Sequence, residues 1–184
     1  METTRWLDTS TSKELSVKLI AYKSFTPRVH PSAFLADGVW IIGNVQVDKD
    51  ASIWFNTVIR GDINEIRIGA RTNVQDGCVI HVTHKHAVHV GSDVTIGHRA
   101  IIHGSTIEDF SLVGMGAVVL DNAHVGPYAL IAAGAVVPGN AVIGEGKLAA
   151  GVPARIVRDL TEEEKLQLRQ SAEGYVDYAR GYQS

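Results

Sequence analysis

An aliphatic residue recurs at every sixth position along most of this chain, and few folds satisfy such a period. Val29, Leu35, Ile41, Val47, Ile53 and Ile59 open the series, and Ile68, Val74 and Ile80 resume it. Val90, Ile96 and Ile102 follow, then Ile107, Val113, Val119, Val125, Ile131, Val137 and Ile143. Six matches neither the helical turn nor the two-residue alternation of one strand, but it suits short strands joined by regular corners. Four residues after most of these positions stands something small or β-branched, as at Thr57, Thr72, Cys78, Ala100, Ala117 and Ala135. The aliphatic side chain points into a core, and the small residue turns a corner where space is short. Glycine often comes directly after the aliphatic, as at Gly69, Gly91, Gly97, Gly114, Gly126 and Gly144, and is expected to supply backbone angles that other residues resist. Three faces then make a coil of roughly 18 residues, stacked at the ~4.8 Å spacing of paired strands.

The period slips three times. Ile59 to Ile68 holds three extra residues, Ile80 to Val90 holds four, and Ile102 to Ile107 is one short. The expected organisation is one domain: an N-terminal arm over 1–26 that caps the first coil, a coil over 27–157, and a C-terminal helix over 158–184 packed along its side. Thr161 and Glu164 form a capping box for that helix. Leu166, Leu168, Ala172, Tyr175, Val176 and Ala179 form its apolar face.

Charge and composition narrow the partners. Among 184 residues the net charge is −3, without the concentrated basic patch that nucleic acid requires. No run approaches the ~20 apolar residues that span a bilayer. Cys78 is the single cysteine, so no intrachain disulfide forms, and its inward corner position suits an inert packed thiol. Met1 to Ser12 carry no apolar leader. The expectation is a cytoplasmic protein that binds neither nucleic acid nor membrane.

Naming the faces a, b and c in chain order from Val29 places Ile59, Ile80 and Ile102 on face c, and Val74 and Ile96 on face b. Side chains alternate along a strand, so the residue after each inward aliphatic points outward. Arg60, His81 and His103 therefore form an outward column in three consecutive coils, while Gln75 and His98 lie on face b with Asp76 stacked near His98. Two histidines one coil apart can share a metal ion. His98 cannot easily join them from the same chain, because the normals of two prism faces diverge by about 120° while metal–nitrogen bonds are only ~2.0–2.1 Å. A second copy can bring its face b against this face c, and three copies around a threefold axis close the ring. The expectation is a homotrimer with three interfacial metal sites, each using His81 and His103 of one chain and His98 of the next. His30 and His124 lie off the column and read as surface or structural residues.

The segments Arg60-Gly61-Asp62, Asn73-Val74-Gln75-Asp76-Gly77, His81, Gly97-His98 and His103-Gly104 together resemble the γ-class carbonic anhydrases and their close relatives, from about Val29 to the C-terminal helix. The resemblance implies an all-β fold, a left-handed parallel β-helix of hexapeptide repeats. It implies His81, His98 and His103 as ligands of Zn2+, with Fe2+ or Co2+ as alternatives, and reversible hydration of carbon dioxide to bicarbonate. It further implies Gln75 and Asn73 near the reacting water, Arg60 with Asp62 and Asp76 in interfacial ion pairing, and Tyr175 reaching the site from the helix. Three neutral imidazoles leave a divalent ion its charge and an open position, which makes a bound water acidic.

The loop after His81 departs from the family pattern. It reads Val82-Thr83-His84-Lys85-His86-Ala87-Val88-His89 and lacks the glutamates that move protons in the best-characterised members. His84 or His86 are the substitute candidates, since imidazole titrates near neutrality. Two other functions compete: a non-catalytic metal-containing trimeric scaffold, favoured by the acid-free loop, and a hexapeptide-repeat acyltransferase, for which three metal-compatible histidines are surplus.

Overall fold

The computed structural model describes residues 17–183, and residues 1–16 of the expected N-terminal arm lie outside the described part. The hexads do become strands, and those strands stack into a parallel β-helix of about seven turns. Face b is a sheet of its own: Phe34–Leu35, Ser52–Ile53, Asn73–Val74, Thr95–Ile96, Leu112–Val113 and Leu130–Ile131 pair in parallel, each with the next. Faces a and c belong to one 12-stranded sheet. The long strands Trp40–Val47 and Val58–Ile68 cause this, since each bends unbroken around the corner between the two faces. Gly43 permits that bend. It has φ +76°, and a Cβ there would run into the Gly61 carbonyl of the next coil.

Every inward aliphatic from Ile41 to Val137 is essentially sealed from solvent. Burying such a side chain contributes about 1.5–3 kcal/mol, and the core is one continuous column of them. All three slips of the period fall at the corner leading from face c to face a. The extra residues therefore project beside the outward column Arg60, His81 and His103.

The repeat glycines act differently from the expectation. Gly69, Gly91, Gly97, Gly114 and Gly126 do not have positive φ. They are needed because the backbone of the next coil lies where their Cβ would be, as at Gly97, where it would stand 2.7 Å from the Met115 nitrogen. The left-handed corner positions are taken largely by other residues, among them Asp50, Asn56, Arg71, Asp93, Arg99, Asn122 and Asn140. Asn and Asp tolerate that conformation better than most.

Lys18–Ile20 pairs in parallel with Trp40–Ile42 and extends face c at the N-terminal edge. At the far end Lys147–Ala150 continues face b and is met antiparallel by Arg155–Asp159. Those last residues were expected to lead into the helix, and residues 158–159 to belong to it. The helix runs instead over Glu162–Gln183. Its capping box forms: Glu164 N–H donates to Thr161 Oγ1 at 3.2 Å, and Thr161 N–H donates to Glu164 Oε2 at 2.8 Å. The helix lies across face b, touching Phe34–Leu35, Ser52–Ile53, Asn73–Val74 and Thr95–Ile96. Leu168, Ala172 and Ala179 are buried there, whereas Leu166, expected on that face, is exposed.

Candidate metal centre

Strand pairing places Arg60, His81 and His103 directly beside one another: Arg60 is the partner of His81, and His81 of His103. Both histidines follow a fully buried isoleucine, Ile80 or Ile102, which fixes their outward direction. Their rings lie 5.1 Å apart, and His81 Nδ1 faces His103 Nε2 at 3.1 Å.

The other nitrogen of each ring is held by a carboxylate. His81 Nε2–H donates to Asp62 Oδ1 at 3.1 Å, and His103 Nδ1–H donates to Asp121. Asp62 also accepts a hydrogen bond from Arg60. Burial pushes the Asp62 carboxyl up, but the hydrogen bonds from Arg60 and His81 outweigh it, and the group sits below its ordinary value. Asp62 is thus an ionised acceptor and fixes His81 with its proton on Nε2. With the outer nitrogens protonated, the two nitrogens that face each other both present lone pairs. Two ring nitrogens at 3.1 Å need either a proton shared as a hydrogen bond or a metal ion between them.

His98 stands on face b, where strand pairing of Val74 with Ile96 brings Asp76 opposite it. His98 Nδ1 lies 2.7 Å from Asp76 Oδ2 in an ion-pair contact on a half-exposed ring. Gln75 and Asn73 are buried beneath it. Gln75 Oε1 accepts the His98 backbone N–H at 3.1 Å, and Gln75 Nε2 donates to Asn73 Oδ1 at 3.1 Å. Asn73 in turn donates to Thr95 Oγ1 at 2.9 Å, which meets Ser171 of the helix at 3.1 Å. The helix thereby helps hold the backbone that carries His98.

Tyr175 reaches the same neighbourhood. With Trp54, Asp76, His98, Tyr178 and Tyr182 it lines a groove of about 640 Å3, and its ring meets Trp54 edge-on at 5.6 Å. Burial first, then the nearby Asp76 charge and Tyr178, push its hydroxyl up.

Within one chain the nine candidate residues divide into two groups. Arg60, Asp62, His81 and His103 share face c, whereas Asn73, Gln75, Asp76, His98 and Tyr175 share face b. Arg60 meets Asp62 but not Asp76, which lies on the other face. Among the described residues of a single chain, no three His, Cys, Asp or Glu side chains gather closely enough to hold a metal ion. Sequence reasoning missed Asp121, whose carboxylate meets His103. The coil after His103 is one residue short, so strand register sets Leu120 beside His103 and Asp121 one position further on.

A bacterial transferase hexapeptide family (six repeats) matches residues 104–139. The chain is 45% identical over 163 residues to the carbonic anhydrase of Geobacillus kaustophilus (strain HTA426), covering 89% of this chain and 90% of that one. It is 41% identical over 161 residues to the mitochondrial gamma carbonic anhydrase 2 of Arabidopsis thaliana, covering 84% of this chain and 58% of the plant protein. Among solved structures, a hexapeptide transferase family protein from Anaplasma phagocytophilum aligns with a TM-score of 0.87 at 41% identity, covering 90% of this chain and 98% of that one. The chain belongs to the γ-class carbonic anhydrase-like family of hexapeptide-repeat proteins.

Proposed function

We propose that this protein is a homotrimeric, cytoplasmic, metal-dependent enzyme that hydrates carbon dioxide reversibly to bicarbonate. The observation that carries the reading is the pair of lone-pair nitrogens, His81 Nδ1 and His103 Nε2, facing one another at 3.1 Å. Two bonds of ~2.0–2.1 Å to one ion span that separation, so the donor set fits a divalent metal. Three imidazoles suit Zn2+, Fe2+ or Co2+.

The third imidazole comes from a second copy, whose half-exposed His98 is presented on face b. An apolar ladder on face c favours that contact. Trp40, Val58, Val79, Ile101 and Val118 stack in register, and Trp40, Val79 and Ile101 are 40–42% exposed. A contiguous apolar stripe on a water-exposed face marks an association surface. Face b of one copy on face c of the next is heterologous, and three copies close it.

When bound, the divalent ion under three neutral imidazoles acidifies a water molecule to near neutrality and so supplies the nucleophile for carbon dioxide. Asp62 and Asp121 fix the tautomers of His81 and His103, and the Asp76 carboxylate stands against His98. Arg60 keeps Asp62 ionised. Gln75 sets the His98 backbone and enters the shared site from the same face, together with Asn73 behind it.

The test is metal analysis and stopped-flow hydration on protein purified without oxygen, beside His98→Ala. The expected result is metal with hydration in the wild type and loss of both in the variant. Metal retained by His98→Ala would refute the site. A metal-loaded wild type that does not hydrate carbon dioxide would leave the scaffold reading in place. The name of the Anaplasma phagocytophilum structure, a hexapeptide transferase family protein, favours group transfer as a second reading, and metal-independent transfer from acetyl-CoA would support the acyltransferase form of it.

A further inference from the structure

Hydration of carbon dioxide releases one proton for every bicarbonate formed, and no carboxylate in the loop after His81 is there to carry it away. The structure distinguishes the histidines of that loop. Val82 and Val88 anchor its ends in the core. Between them Thr83 N–H donates to the His86 carbonyl at 3.0 Å, and Thr83 Oγ1 accepts the N–H groups of Lys85 at 3.2 Å and His86 at 2.9 Å. Asn64, from the neighbouring inserted loop, donates to the Thr83 carbonyl at 3.1 Å. The turn is therefore held from both sides, with His84 and Lys85 exposed at its tip and His86 half-buried at its base.

His86 sits between two clefts. On one side is a groove of about 690 Å3 that it lines with His84, Lys85, His103, Asp121 and Asn140. On the other is a cleft of about 210 Å3 that it lines with Lys85, His89, Ser105 and His124. Gly104 lets His86 close in: a Cβ there would lie 3.2 Å from His86 Cβ and 3.3 Å from Asp121 Oδ1. The second cleft is built for protons. Ser105 is 2% exposed, and its hydroxyl has no hydrogen-bond partner among the described residues, a demand that a bridging water satisfies. His89 meets Glu65 at 3.0 Å and His124 meets Glu108 at 2.9 Å, both at the surface. Hydrogen bonds from His89 and then Arg67 hold Glu65 below its ordinary value, so it is an ionised partner for His89.

We propose that His86 is the proton-transfer residue of this protein, linking the groove beside His103 to the cleft that opens at His89 and His124. This rests on the carbon dioxide hydration proposed above. In each cycle one ring nitrogen of His86 takes a proton through water in the groove, and the other releases a proton to water in the second cleft. Tautomer exchange resets the ring, and no electrons move. The charged and titratable groups around it are His84 and Lys85 on its own loop, His103 and Asp121 across the groove, and the His89–Glu65 and His124–Glu108 pairs beyond the cleft.

The test compares the metal-loaded wild type with His86→Ala and His84→Ala. In weak buffer His86→Ala is expected to lose roughly tenfold or more in kcat, as for removal of a general acid–base group, with kcat/KM within about twofold of wild type. Imidazole buffer should restore kcat. Metal affinity and thermal midpoint should match the wild type, as a structural role for His86 would not allow. In 15N-histidine spectra the His86 ring should show exchange between its two tautomers. Unchanged kcat in His86→Ala, a kcat loss confined to His84→Ala, or a ring locked in one tautomer would overturn the relay alone. A wild type with no hydration would instead remove the function on which the relay rests.

Discussion

His81 Nδ1 and His103 Nε2 face each other at 3.1 Å because Asp62 and Asp121, on the far sides of the two rings, hold the remaining protons. Three carboxylates thus serve three histidines, one apiece, counting Asp76 on His98. Removing such an outer partner typically costs 10–100-fold in metal affinity. Asp121→Asn should accordingly weaken metal binding by about 10–100-fold in chelator competition while leaving the circular dichroism spectrum unchanged. Affinity equal to the wild type would show that Asp121 does not orient His103.

Gly97 links the coil stacking to His98. A Cβ at that position would stand 2.7 Å from the Met115 nitrogen and 2.9 Å from the Val113 oxygen, and neither backbone atom can move without parting two coils. Gly97→Ala should destabilise the fold by about 1–3 kcal/mol, as overpacking does, and displace His98 as well. Denaturant unfolding gives the first effect and metal titration the second. A fully stable variant would mean that the coils part more easily than their packing implies.

Cys78 is sealed in a corner beneath the site. Burial pushes its thiol up to about 12 against weaker opposing hydrogen bonds from the backbone. At pH 8 such a thiol is ionised only to about one part in ten thousand, and the thiolate is the reactive form. Native protein should therefore resist a disulfide reagent that labels the urea-unfolded chain within minutes. Rapid labelling of the native protein would contradict the burial.

The helix that supports His98 carries an acid-sensitive start. Hydrogen bonds from Arg158, then the Thr161 backbone, hold Glu164 at about 2, against an ordinary value of 4.5. A depressed carboxyl stabilises the folded state above its ordinary value, and that contribution fades as pH falls from 4.5 toward 2. The helical signal should loosen across this window, less so in high salt because the pair is exposed. Glu164→Gln should lack the step. A wild-type step at the same pH in the variant would assign it elsewhere.

The faces of the coil were readable because a six-residue period converts sequence positions directly into directions, so Ile80 and Ile102 announce where His81 and His103 point. The slips in that period marked the corner from which the histidine-bearing loop projects. Asp121 escaped notice because Asp-Asn at a corner is ordinary turn chemistry, and coil register sets Leu120, not Asp121, beside His103. The repeat glycines were legible as necessary but for the wrong reason: contact between coils is a tertiary fact, and a backbone angle is a local one. Arg155–Asp159 was hidden for a similar cause. It is exposed throughout, belongs to no hexad, and becomes a strand only because Lys147–Ala150 offers it an edge.

The central claim is that the metal site is divided between chains. Its most direct measurement mixes two inactive variants, His81→Ala and His98→Ala, by unfolding and refolding them together, then counts metal per trimer. Neither variant alone should bind metal at the site. In mixed trimers an intact His81–His103 pair meets an intact His98 across some interfaces, so metal and hydration should partly return. Verified mixed trimers that remain without metal, or either variant binding it fully alone, would contradict a shared site.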